Sequence, residues 1–143
     1  MGALLRNVNL SQANLSGATG LPIAADFLSN FQRDADGVLV YRAQRGYPRF
    51  PAPPSWRFEP GRVLTETVNP DRCTPCGSGV SFGTLDFCRE EHPEQRIWLC
   101  RIAWIDLADV VVPFATDGKA RCARLTLLRI EHEGRTEGTE ARV

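Results

Sequence analysis

Cys76-Gly77-Ser78-Gly79-Val80-Ser81-Phe82-Gly83-Thr84-Leu85-Asp86-Phe87-Cys88 reads as a loop, a short strand and a helix start in direct succession. Gly77 and Gly79 permit backbone angles and close approaches that other residues resist. Val80 and Phe82 fall on one face of an extended segment, because side chains alternate along a strand. Thr84 precedes Leu85 as a helix cap, its hydroxyl placed to accept an orphan backbone N–H. The spacing predicts a helix over 84–91, stopped by His92-Pro93. A bend of this kind joins two elements and also offers a binding position.

Downstream, residues 96–105 form the strongest strand in the chain. Ile97, Leu99, Ala103 and Ile105 alternate with Trp98, Cys100, Ile102 and Trp104. Apolar residues on both faces predict a central place in a sheet. Asp106-Leu107-Ala108-Asp109 reads as one helical turn, Val110-Val111-Val112-Pro113 as a short extended piece, and Asp117-Gly118 as a turn. Residues 119–131 form a long last strand whose apolar set changes face between Leu127 and Leu128, the signature of a bulge or of cover on both sides. Residues 134–143 are polar and read as a tail.

Upstream, Val38-Leu39-Val40-Tyr41-Arg42-Ala43 reads as a strand after the turn Asp34-Ala35-Asp36-Gly37. Prolines at 48, 51, 53 and 54 exclude regular structure from the loop that follows. Trp56-Arg57-Phe58 reads as a brief strand and 62–68 as another. A helix over 22–32 opens on Pro22 and places Ile23, Phe27, Leu28 and Phe31 on one face.

The chain of 143 residues suits one domain, and 17 basic residues balance 17 acidic ones. That balance argues against a dominant nucleic-acid or polybasic membrane surface. No apolar run approaches the roughly 20 residues of a membrane span, and the N-terminal stretch lacks a signal-peptide pattern. The expectation is a cytoplasmic protein. Its five cysteines are then thiols rather than a disulfide framework.

The first twenty residues repeat every five: Ala3, Val8, Ala13 and Ala18 are followed two positions later by Leu5, Leu10 and Leu15, with Gly20 ending the series. Val8-Asn9-Leu10 and Ala13-Asn14-Leu15 resemble the pentapeptide-repeat family, whose small and leucine residues point into a right-handed β-helix. The resemblance implies one coil over 3–22. A single coil cannot bury its own leucines. It would need the helix 22–32, the rest of the chain or a second copy as cover, hence an expected homo-oligomer.

Three further blocks are similar to a domain that follows such repeats in tailed-phage and prophage proteins. They are the stretch 76–88, the segment Ile105-Asp106-Leu107 through Pro113, and Ala115-Thr116-Asp117-Gly118-Lys119-Ala120-Arg121. Phe87, Gly83 and Ala120 depart from the tryptophan, alanine and aromatic residue usual there. The resemblance implies layout and context, and no activity.

The expected fold class is therefore α+β: one pentapeptide-repeat coil over 3–22, a covering helix over 22–32, and, within a domain over 23–133, a mostly antiparallel sheet with one or two short helices. The expected function is a phage-type binding module for a host protein or a nucleotide-like ligand. Its cleft would lie between Tyr41-Arg42, the proline-rich loop and the bend carrying Gly77, Gly79, Ser81 and Thr84. Two alternatives stand beside it. The order of elements resembles ADP-ribosyltransferases, which implies NAD as cofactor, Arg42 as phosphate ligand, Ser81 or Thr84 as the hydroxyl, and a Glu-x-Glu spelling at Glu131-His132-Glu133. Cys73-Thr74-Pro75-Cys76 is half of a zinc site. Its second pair is missing, although His92 and the single cysteines offer further ligands.

Overall fold

The computed structural model of the protein describes residues 24–47 and 51–134. Six strands form one sheet in the order β2-β6-β4-β1-β3-β5. They are β1 (Gly37–Ala43), β2 (Val63–Thr65), β3 (Val80–Gly83), β4 (Ile97–Ala103), β5 (Lys119–Cys122) and β6 (Arg124–His132). Every pairing is antiparallel. The helical elements among the described residues are short: α1 (Ala24–Leu28), α2 (Leu85–Glu91) and a 3-10 turn at Trp104–Asp109.

This corrects the expected fold class. The described residues form a mostly antiparallel sheet with few short helices, and no pentapeptide-repeat coil is part of it. Residues 3–22, where the coil was expected, and the tail after Gly134 lie outside the described residues. The expected helix over 22–32 is a five-residue α1. Phe31 follows in the succeeding turn, and its ring packs on Phe82 of β3 with centroids 6.0 Å apart, next to Phe27. The cover is thus given to the sheet. Residues 56–58 are irregular rather than a strand, and the strand expected over 62–68 shortens to β2.

β4 lies between β1 and β6, as its two apolar faces required. The bulge foreseen at Leu127 and Leu128 is present. Leu99 faces Arg129 while Cys100 faces Leu127, so Leu128 is the extra residue. The core gathers Val38 and Val40 of β1, Val80 and Phe82 of β3, Trp98, Cys100 and Ile102 of β4, and Leu125 and Leu127 of β6.

Ala123 alone separates β5 from β6, yet β5 ends the sheet on one side and β6 is second from the other end. Those positions can be joined by one residue only if the sheet rolls into a half-open barrel. The backbone N–H of Glu66, just after β2, donates to Ala123 O at 3.1 Å and ties the far edge to this corner.

Candidate ligand-binding site

Arg42 lies on β1 in line with Val38 and Val40, so the two-residue period of the strand sends a guanidinium to an inner-face position. It is 4% exposed. Its Nη1 donates to Ser81 O at 3.0 Å and to Ser81 Oγ at 2.7 Å. Its Cζ stands 5.0 Å from the centre of the Trp56 ring. Nε is buried without an acceptor, and Nη2 has none among the described residues. Nε is sealed off from solvent, so Nη2 is the nitrogen whose donors remain for a carboxylate or phosphate oxygen. No carboxylate pairs with Arg42 among the described residues. Burial pushes its pKa down, and nearby cysteines oppose the shift.

Arg42 forms part of the wall of a cavity of about 280 Å³. Gly77, Gly79 and Ser81 contribute from the bend, and Pro51, Pro53 and Trp56 from the proline-rich loop. Gly79 has φ 136°, a backbone state that suits glycine, and a Cβ there would stand 3.2 Å from Arg121 Cβ. Lys119 and Arg121 complete a cationic lining against one carboxylate, Glu66. Glu66 and Arg121 come from opposite edges of the sheet, so the cavity sits where the rolled edges approach.

The two arginines in this wall differ. Arg121 commits each of its three guanidinium nitrogens to a loop carbonyl: Nε to Asn69 at 2.8 Å, Nη1 to Thr74 at 2.9 Å and Nη2 to Asp71 at 2.6 Å. It holds the loop between β2 and β3. Arg42 has equal burial and an Nη2 with no acceptor among the described residues, and is the residue suited to a ligand.

Of the six residues read from the sequence, the structure brings Arg42, Gly77, Gly79 and Ser81 together and leaves Tyr41 and Thr84 off the cavity lining. Tyr41 adjoins Arg42 on a strand and so faces the other way, where burial and Glu131 raise its pKa. The Thr84 hydroxyl accepts from Phe87 N at 3.1 Å and caps α2, which has seven residues. Thr84→Ala is expected to lower stability by about 1 kcal/mol and to leave ligand affinity unchanged, as urea unfolding and a binding titration would show. Among the described residues no group of three or more His, Cys, Asp or Glu side chains forms a metal cage. Cys76 meets Lys119 instead, whose Nζ donates to Sγ at 2.8 Å. A cation in that position does not suit a zinc ligand. Glu133 pairs with Arg96 at 3.0 Å and is also absent from the cavity wall.

The sequence reading missed Gln95. It is buried, and its amide holds the turn after β1. Oε1 accepts from Arg45 N at 2.7 Å and Gly46 N at 3.0 Å, and Nε2 donates to Gly46 O at 3.0 Å. Gly46 lies against the Arg42 guanidinium, where a Cβ would be 3.3 Å from Nη2. Gln95 Nε2 also lies 3.2 Å from His92 Nδ1. With Nε2 donating, that ring nitrogen is the acceptor and the imidazole is neutral.

Tyr47 stacks edge-on against His92 at 4.7 Å, gives its hydroxyl to Glu91 at 3.1 Å and receives Lys119 Nζ over its ring at 4.4 Å. It separates the cationic cavity from a second hollow lined by Phe58, His92 and Gln95.

Burial lowers the His92 pKa from 6.5; Glu91 and Glu94 oppose this, while Arg42 and Lys119 reinforce it. The unfolded chain thus takes up a proton near pH 6.5 that the folded chain still refuses. Stability contributed by neutral His92 is complete above that pH and falls on acidification. Thermal melts are expected to drop as the pH falls below 6.5, and His92→Gln to flatten that part of the profile.

No helix among the described residues is long and apolar enough to cross a membrane. Comparison with protein-family models, curated proteins and solved structures finds no match to this chain.

Proposed function

We propose that the protein is a binding module for a small phosphorylated ligand of nucleotide type, whose anionic group sits against Nη2 of Arg42. The observation that carries this reading is the buried guanidinium with no carboxylate partner and an Nε without an acceptor. Desolvating a cation without a counter-charge is unfavourable, and an incoming anion offsets that cost. Lys119 and Arg121 add positive potential. Trp56 and Tyr47 supply aromatic walls for a flat group.

Calorimetric titration of the wild type with inorganic phosphate, AMP and NAD tests the reading. Saturable binding is expected, weakened at least about tenfold in Arg42→Gln. Absence of binding to all three, or equal affinity in the variant, would remove it.

A second reading is a transferase acting on NAD. It is favoured by the hydrogen-bonded pair Arg42 and Ser81 in one cavity with Glu66. Glu66, rather than Glu131 or Glu133, would then be the acid that faces the ligand. This version requires nicotinamide release from NAD that disappears in Arg42→Gln and in Glu66→Gln.

A further inference from the structure

Cys76 is an exposed thiol at the wall of the same cavity. It differs from the three cysteines of the core. Cys88, Cys100 and Cys122 are buried, and burial pushes the Cys88 and Cys122 thiols up to about 12. A small molecule in solution does not reach them. The Cys76 sulfur instead receives the Lys119 ammonium at 2.8 Å, and that ammonium is held over the Tyr47 ring. An exposed thiol in cationic surroundings is the setting in which cysteine reacts. Independent of the thiol, the buried guanidinium of Arg42 in this wall has no carboxylate partner among the described residues and an Nη2 without an acceptor there, which favours an anion in the cavity.

We propose that Cys76 is a site of reversible mixed-disulfide formation with small anionic disulfides, of which oxidised glutathione is the probe. This rests on the anion-selecting cavity described above and adds a covalent step to it. A carboxylate of the disulfide meets Arg42 Nη2 while the disulfide sulfurs lie near Cys76. The Cys76 thiolate attacks one sulfur. A new S–S bond forms as the old one breaks, and the departing thiolate takes up the proton that Cys76 gave to solvent. Cys76 is oxidised to the mixed disulfide, and the other half of the reagent is reduced to a free thiol. Lys119 keeps the sulfur in an electropositive place and is a positioning residue.

The experiment treats the full chain with oxidised glutathione, with neutral hydroxyethyl disulfide and with cationic cystamine, and reads intact mass and peptide maps over time. Glutathione is expected on Cys76, with no label on Cys88, Cys100 or Cys122. The anionic reagent should react about tenfold faster than the cationic one, a gap that shrinks in high salt. Arg42→Gln should lower the ratio of the anionic to the neutral rate, and Lys119→Met should slow the anionic and neutral reagents. Reduction should remove the label. An unlabelled Cys76, faster labelling of Cys73, or equal rates for the three reagents would overturn the proposal. AMP titration of Cys76→Ser separates the two readings. Retained AMP binding with no glutathione adduct in the wild type sinks the thiol site alone. An anion-selective adduct without AMP binding sinks the nucleotide reading alone.

Discussion

Arg42→Met is expected to abolish ligand binding and leave the fold standing. Loss of a buried charge partner costs about 2–5 kcal/mol of binding, so affinity should fall by at least about thirtyfold. Stability should follow a different course. Methionine fills much of the space of the arginine stem without bringing a charge into the core. Replacing buried ionic groups by apolar ones of similar volume is often neutral or stabilising by about 1–4 kcal/mol. Against this stand the two hydrogen bonds to Ser81, each worth about 1.5–3 kcal/mol when one partner is charged. The hydrogen bonds outweigh the gain at mid-range, and a net loss of about 2 kcal/mol is expected. Urea unfolding gives the stability and calorimetry the affinity. A loss of more than about 4 kcal/mol would make Arg42 a structural residue after all.

Gln95→Leu should be the more damaging change to the fold. Leucine cannot replace the amide that satisfies Arg45 N, Gly46 N and Gly46 O. Gly46 is buried, so its two backbone groups would be left without partners away from water. At about 1–3 kcal/mol for each such group, a total loss of about 3–5 kcal/mol is expected. The damage should reach the cavity, because Gly46 packs on the guanidinium of Arg42. Gln95→Glu keeps the acceptor and loses the donor, and should cost less. Guanidinium unfolding of the three proteins, with ligand titration of the two that fold best, tests this order. Equal stability of Gln95→Leu and wild type would show that the turn holds itself.

Much of the sheet was legible because its signals are local. The central position of β4 follows from apolar residues on both its faces, and the bulge at Leu128 from a change of face in β6. The cap at Thr84 was legible too, and its place off the cavity wall keeps that hydroxyl from the ligand. Tyr41 and Arg42 were read as a pair, although adjacent strand residues face opposite ways. The position of Arg42 in line with Val38 and Val40 was the signal that it points inward. Gln95, Glu66, Lys119 and Arg121 carried no such signal. Gln95 and Gly46 lie 49 residues apart, and only the tertiary fold makes them neighbours. The five-residue period at the N-terminus led the reading toward a coil, whereas the described residues build a rolled sheet around β1 and β4.

The single-residue corner at Ala123 has a kinetic consequence. Strand β5 must find β3 and β6 must find β4 at nearly the same moment, since one alanine gives neither partner slack. Few of these pairings are local, so ring closure precedes most of the reward, and refolding should be slow for a chain of this size. Extra glycines spliced in after Cys122 would uncouple the two searches and let the halves of the sheet come apart separately.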